Sequence, residues 1–225
     1  MDIVYQIIDK RKYTHAKLAT DFLCERDKQH LEKIETIGKK FDFVLGRNLL
    51  KNFLEKYCLQ KIKTLELEYS SNGKPYLKDQ QVFFNLAHSG NYIIVIASSN
   101  PCGVDLQREE NLDRPEFLWE RIAHEEELYQ HIDVSPHFIL KTWTQKEAVT
   151  KCYDHTDTGS FSSINLSNQK ETRSIAWHRE HFFLKSIQFS DKDDNYFCEI
   201  ASIGKKFDHP IDLHEVKFFR TNEAI

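Results

Sequence analysis

The spacing of apolar residues changes period several times along the chain. Residues 2–9 alternate as a strand does, and residues 15–37 and 40–58 carry helical spacing. In the second helical stretch Phe41, Val44, Leu45, Asn48, Leu49 and Phe53 form one stripe, with Arg47 and Lys51 on another face. From 62 to 107 the period becomes that of strands. Leu65, Leu67 and Tyr69 alternate with Glu66, Glu68 and Ser70 before a turn at Ser71-Asn72-Gly73. Val82–His88 and Tyr92–Ser98 read as a hairpin around Ser89-Gly90-Asn91, and Val104–Gln107 as a further short strand. Pro115 opens a helix over 116–131, and a second helix covers 137–153 after Ser135-Pro136. Strands are expected at 161–166, 173–178, 181–190 and 194–202. Strands following one another through short turns, separately from the helices, indicate an α+β fold with antiparallel sheets.

At 225 residues the chain falls between one domain and two. A 40% share of hydrophobic residues is enough for a core without disulfide or metal staples. The formal net charge of -4 argues against nucleic acid as a partner, and only 7 glycines leave little material for a glycine-rich phosphate loop. The apolar positions near the N-terminus are interrupted by Asp2, Gln6 and Asp9, unlike a signal peptide, and Tyr92–Ala97 is too short to span a bilayer. Five scattered cysteines without a C-x-x-C pair suggest neither a disulfide framework nor a zinc site. A protein of the reducing cytoplasm, with no membrane partner, is expected.

Candidate chemistry lies in the carboxylates, because Mg²⁺ takes one or two protein oxygens and completes its shell with water and phosphate. Asp105 shares a strand face with Gln107. On a helix Trp143, Glu147 and Lys151 align at i, i+4 and i+8. Asp105 and Glu147 from separate elements, with Lys151, are the groups needed to hold Mg²⁺ together with a polyphosphate. His88 at a strand end could donate to a phosphate or simply finish the strand. As its neighbour on a strand, Ser89 points to the opposite face, which disfavours a nucleophilic Ser-His pair. Pro75 holds Lys74 extended.

Four segments, Gly73-Lys74-Pro75, Phe84-Asn85-Leu86-Ala87-His88-Ser89, Gly103-Val104-Asp105 and Trp143-x-x-Lys146-Glu147-Ala148-x-x-Lys151, occur in a telling order. In that order and approximate spacing the chain resembles the 4′-phosphopantetheinyl transferases of the surfactin-synthetase-activating type, from about residue 41 to 153. Leu45-Gly46-Arg47 resembles the family's helix before the GKP turn, and Ala123-His124-x-x-Glu127 stands where the family often has an aromatic or Ser-x-x-Glu motif. The resemblance implies a pseudo-dimer of two similar α+β halves, 1–107 and 108–225, each an antiparallel sheet packed with helices, with the active site at their interface. It implies an enzyme of holo-[acyl-carrier-protein] synthase type activity, a monomer. Such an enzyme moves 4′-phosphopantetheine from coenzyme A to a serine of an apo acyl or peptidyl carrier protein and releases adenosine 3′,5′-bisphosphate. Carried over by position, Asp105, Gln107 and Glu147 would hold Mg²⁺, Glu147 would take the serine proton, and Lys151 would neutralise phosphate charge. Lys74 with Pro75, His88, Arg47 and Arg26 would bind coenzyme A. This chain has Asp105-x-Gln107 where the family commonly has Asp-x-Glu, Ala87 in place of the usual Ser, and few glycines after Lys151. Gln107 and the missing glycines motivate the alternative of a homologue that binds coenzyme A or carrier without transfer. Carrier proteins of the family are typically acidic, so a localised basic docking surface is expected on this net-negative chain.

Overall fold

The computed structural model describes residues 3–14, 17–58, 66–78, 82–130, 134–154, 160–167, 173–192, 194–204 and 207. The expectations for residues 2, 15–16, 62–65 and 131, and the glycine-poor segment 155–159, lie outside them.

Chain order is β1 (Val4–Asp9), α1 (Glu25–Lys33), α2 (Ile37–Cys58), β2 (Leu67–Tyr69), β3 (Pro75–Leu77), β4 (Phe83–Ser89) and β5 (Tyr92–Ser98). Then come β6 (Cys102–Arg108), α3 (Pro115–Ile122), α4 (Glu125–Tyr129), α5 (Pro136–Tyr153), β7 (Ser174–Trp177), β8 (Glu180–Asp191) and β9 (Asp194–Ile203). Among the described residues every strand pairing is antiparallel, giving one sheet ordered β1-β5-β4, a β2-β3 ribbon, and one sheet ordered β6-β9-β8-β7. The two large sheets are built alike: in each, the first strand pairs with the last and a long helix covers one face.

The run Tyr92–Ala97 is continuously apolar because β5 is buried on both faces. Ile93, Val95 and Ala97 pack with Leu45, Leu49, Leu50 and Phe53 of α2. Ile94 and Ile96 face the other way, onto Val104 and Leu106 of β6 and Cys198 and Ile200 of β9. The halves also meet along a seam between β4 and β6. There Asn85 Oδ1 accepts from the Val104 amide (3.0 Å) and Ser89 Oγ from the Arg108 amide (2.8 Å), side chains closing what would otherwise be an unpaired strand edge.

Four local expectations change. β6, expected to end the first half, is hydrogen-bonded to β9, so sheet membership passes to the second half just after β5. Helix is expected across 15–37, but 17–24 is extended or turned: Asn48 holds both the amide and the carbonyl of Ala19 (3.2 and 2.9 Å), and Phe22 and Leu23 insert into the core. The helix expected at 116–131 is broken at Ala123-His124, where His124 Nδ1 accepts from the Glu126 amide and Glu127 accepts from the His124 amide, starting a new helix with a capping box. The strand expected at 161–166 is a 3-10 turn, Phe161–Ser163, and the Leu166 amide bonds to the Glu127 carboxylate instead of a neighbouring strand. No described helix is long and apolar enough to cross a membrane.

Gly103 sets the distance between α5 and β6. A Cβ there would overlap the Ala148 carbonyl and the Cys152 amide, so the helix backbone rests directly on the strand. Gly103→Ala is expected to lift α5 from the sheet, costing about 1–3 kcal/mol in urea unfolding and a larger share of any activity that needs α5 against β6.

Candidate functional site

Alternation on β6 sends Cys102, Val104 and Leu106 into the core between the sheets. Gly103, Asp105 and Gln107 are left on the face beneath α5. α5 begins with Pro136, its first turn held by Ser135 Oγ accepting from the Phe138 amide (3.3 Å). Its i, i+4, i+8 series then places Trp143 against the ring of Phe161 (4.9 Å between centroids) and brings Glu147 and Lys151 over Asp105.

The two carboxylates meet at one cation. Lys151 Nζ is 2.5 Å from Asp105 Oδ1 and 3.7 Å from Glu147 Oε2, although Asp105 and Glu147 come from different elements. Gln107 Nε2 donates to Asp105 Oδ2 (2.9 Å), so in this arrangement the amide orients Asp105. Burial raises the pKa of Glu147, Lys151 opposes the rise and the charge of Asp105 adds to it. The pKa of His88 is lowered by desolvation, then by the cationic charges of Lys10 and Lys151, against Asp42 and Asp105. Its imidazole is therefore neutral near pH 7, within electrostatic reach of the same groups.

Among the described residues no three His, Cys, Asp or Glu side chains gather into a closed metal cage. The open pair suits Mg²⁺, a hard cation content with two carboxylates. The Lys151 ammonium marks the point at which both already attract positive charge.

The ammonium of Lys74 reaches across the halves to the Lys151 carbonyl (2.5 Å) and the Cys102 carbonyl (3.3 Å), leaving one of its three donors unused by these bonds. A cavity of about 300 Å³ adjoins this turn, lined by Arg26, His30, Arg47, Tyr69, Gly73 and Pro75 among others. The Arg26 guanidinium lies 4.0 Å from the centre of the Tyr69 ring. Arg47 forks onto the buried Asp27 (2.9 and 3.1 Å) and donates to the Tyr69 hydroxyl. The structure thus gathers Asp105, Gln107, Glu147 and Lys151 in one place, with Lys74 and His88 at its edge, and Arg26, Arg47 and Pro75 in the neighbouring cavity.

Several participants were not singled out from the sequence. His30, Asp27 and Tyr69 join the cavity through packing between elements that no local pattern announces. Asn85 and Ser89 lie within a noted motif, yet their seam bonds depend on β6. Lys146, also in a noted motif, is fully buried and bonds to Glu127 Oε2 and the Ile122 carbonyl (both 2.7 Å).

Glu199 lies opposite Asp105 in the β6–β9 register and is buried. Its Oε2 accepts from Ser186 Oγ (2.5 Å), whereas Oε1 has no partner in hydrogen-bond geometry. Burial pushes its pKa up to about 7 from 4.5, opposed by Ser186, Arg173, Lys141 and Gln145. The folded state holds this proton more tightly than the unfolded state. The resulting stability is complete below the unfolded value and is lost as pH rises through about 7, a fall of roughly 3 kcal/mol. Glu199→Gln should flatten that slope and leave the protein more stable above the window, as read by urea unfolding on either side of it.

The family model for the 4′-phosphopantetheinyl transferase superfamily matches residues 101–201, and the model for the 4′-phosphopantetheinyl transferase N-terminal region matches 11–100. The change between them falls where β5 gives way to β6. The chain is 30% identical over 181 residues to 4′-phosphopantetheinyl transferase ffp of Bacillus subtilis, covering 78% of this chain and 79% of the relative. It is 24% identical over 168 residues to 4′-phosphopantetheinyl transferase gsp of Aneurinibacillus migulanus, covering 71% and 68%. With psf-1 of Bacillus pumilus, also a 4′-phosphopantetheinyl transferase, identity is 25% over 128 residues, covering 56% and 53%. Both halves of the chain, and the motif order that joins them, place it in one family: it belongs to the 4′-phosphopantetheinyl transferase superfamily.

Proposed function

We propose that the protein transfers the 4′-phosphopantetheine group of coenzyme A to a serine hydroxyl of an apo acyl or peptidyl carrier protein, with Mg²⁺ bound. Family membership supports phosphopantetheinyl transfer in general. The observation that carries the finer reading is the convergence of Asp105 and Glu147 on the Lys151 ammonium.

The serine oxygen forms a bond to the phosphorus that bears pantetheine. The bond from that phosphorus to the bridging oxygen of the pyrophosphate breaks, and adenosine 3′,5′-bisphosphate leaves with the electron pair. Such transfers depend mainly on positioning and on neutralising charge. Asp105 and Glu147 would hold Mg²⁺, with Gln107 orienting Asp105; the ion, when bound, supplies charge neutralisation on the pyrophosphate. Glu147 accepts the serine proton, as a carboxylate beside the attacking hydroxyl can. Lys151 balances charge on the transferring phosphate, and His88 and the remaining donor of Lys74 bind phosphate oxygens. The cavity holding Arg26, Arg47 and Pro75 takes the nucleotide end of coenzyme A.

Chromatography of the nucleotide products tests this reading. Adenosine 3′,5′-bisphosphate should appear only when coenzyme A, Mg²⁺ and an apo carrier are all present. Its appearance without carrier would point to a hydrolase. Binding of coenzyme A with no release would indicate a homologue that does not transfer, the reading suggested by Gln107.

A further inference from the structure

The last residue of the α5 region, Asp154, adopts a left-handed conformation with φ 48° and ψ 36°, its amide closing the helix on the Thr150 carbonyl. Glycine occupies this conformation most cheaply, and an aspartate there carries a conformational cost. The carboxylate has a use that glycine could not supply: Oδ1 accepts from Ser70 Oγ (3.1 Å), a residue of the other half.

Ser70 is the pivot of the turn that presents Lys74. Its amide donates to the Lys74 carbonyl (2.9 Å), its carbonyl accepts from the Gly73 amide (2.9 Å), and its hydroxyl accepts from the Lys74 amide (3.2 Å) while donating to Asp154. The same turn sends the Lys74 ammonium to the carbonyl of Lys151, whose own ammonium holds Asp105. Two bonds from one small turn therefore end on the last turn of α5, one at Lys151 and one just beyond it. The β2-β3 ribbon has only three residues in each strand, a size that is marginal without outside support.

We propose, resting on the transfer reading given above, that Ser70 and Asp154 form a clasp between the halves that positions the last turn of α5, and with it Lys151, for phosphopantetheinyl transfer. Asp154 and Ser70 are positioning residues. They act through the last turn of α5 and the turn that carries Lys74, and neither touches the reacting phosphate. This bond gives an aspartate at a glycine-favouring position a role.

Three variants of the full-length protein separate the clasp from helix capping. Asp154→Gly keeps the left-handed backbone at lower conformational cost and removes the acceptor. Asp154→Asn tolerates the same conformation and retains an oxygen for Ser70. Ser70→Ala removes the donor from the other side. With the clasp, Asp154→Gly and Ser70→Ala each lower kcat for transfer about tenfold or more, with a smaller change in KM for coenzyme A, while Asp154→Asn stays close to wild type. Combining Ser70→Ala with Asp154→Gly adds little to either alone. A capping role alone predicts that Asp154→Gly is at least as active and as thermally stable as Asp154→Asn, and that result would overturn the proposal.

Amide hydrogen exchange provides an arm independent of turnover. Asp154→Gly, although placed in the second half, should quicken exchange in residues 66–78 of the first, as should Ser70→Ala. Unchanged exchange there would also overturn the clasp. Lack of transfer by the wild-type protein would instead overturn the functional reading, and the exchange arm would still decide whether the clasp exists.

Discussion

Replacing Glu147 with Gln lowers the transfer rate by about 10²- to 10⁴-fold with the fold intact. The substitution keeps size and hydrogen-bonding capacity but removes the carboxylate's ability to accept a proton. It also takes one of the two charges from the point where Lys151 now sits. Stability should not suffer, since burial already disfavours the charged form of this half-buried side chain. Circular dichroism and a thermal melt, beside the kinetics, separate loss of the base from loss of the fold.

Lys146→Met is expected to act through stability, at a cost of about 3–5 kcal/mol, because removing one partner leaves the Glu127 carboxylate buried without its cation. Lys146 has no solvent exposure and Glu127 is only 2% exposed. Desolvation lowers the pKa of Lys146 and Glu127 opposes that fall, so the pair survives only because both members are present. Glu127 also accepts from the His124 and Leu166 amides (2.8 and 2.7 Å), tying together α4, α5 and the segment that approaches β7. Lys146→Met combined with Glu127→Leu should recover part of the loss, since the stranded charge is gone, but the two amides stay unpaired. Urea denaturation of the two singles and the double reads all three values. A loss below about 1 kcal/mol in Lys146→Met would contradict a structural role for this ion pair. Lys146 and Glu147 are sequence neighbours with opposite duties, one locking α5 in place and the other facing the chemistry.

Much of this was legible in the sequence where a single element determined the outcome. The alternation through Asp105, the helical spacing of Trp143, Glu147 and Lys151, and the unbroken apolar run of β5 each follow from the geometry of one strand or helix. The order of the four motifs carried the family, and the succession of strands through short turns carried the α+β architecture. Outcomes decided by distant partners were not legible. Helical spacing over 15–37 could not show that Asn48 would strap Ala19 to α2. The break at His124 is a local capping box whose sequence was noted for its family position without its effect on the helix. The membership of β6 in the second sheet depends on β9, about a hundred positions later, and the buried Glu199 has no sequence signal because its neighbourhood is made by β8, β9 and α5. Lys74, noted for its place before a proline, proves to bind carbonyls of the opposite half.

The most direct measurement is the intact mass of apo carrier proteins from fatty-acid, polyketide and peptide synthesis after incubation with coenzyme A, Mg²⁺ and the protein. The account predicts that the wild type adds one phosphopantetheine group to at least one carrier and that Glu147→Gln adds none in the same time. Carriers left unmodified throughout, or modified equally by Glu147→Gln, would contradict a transferase site built from Asp105 and Glu147.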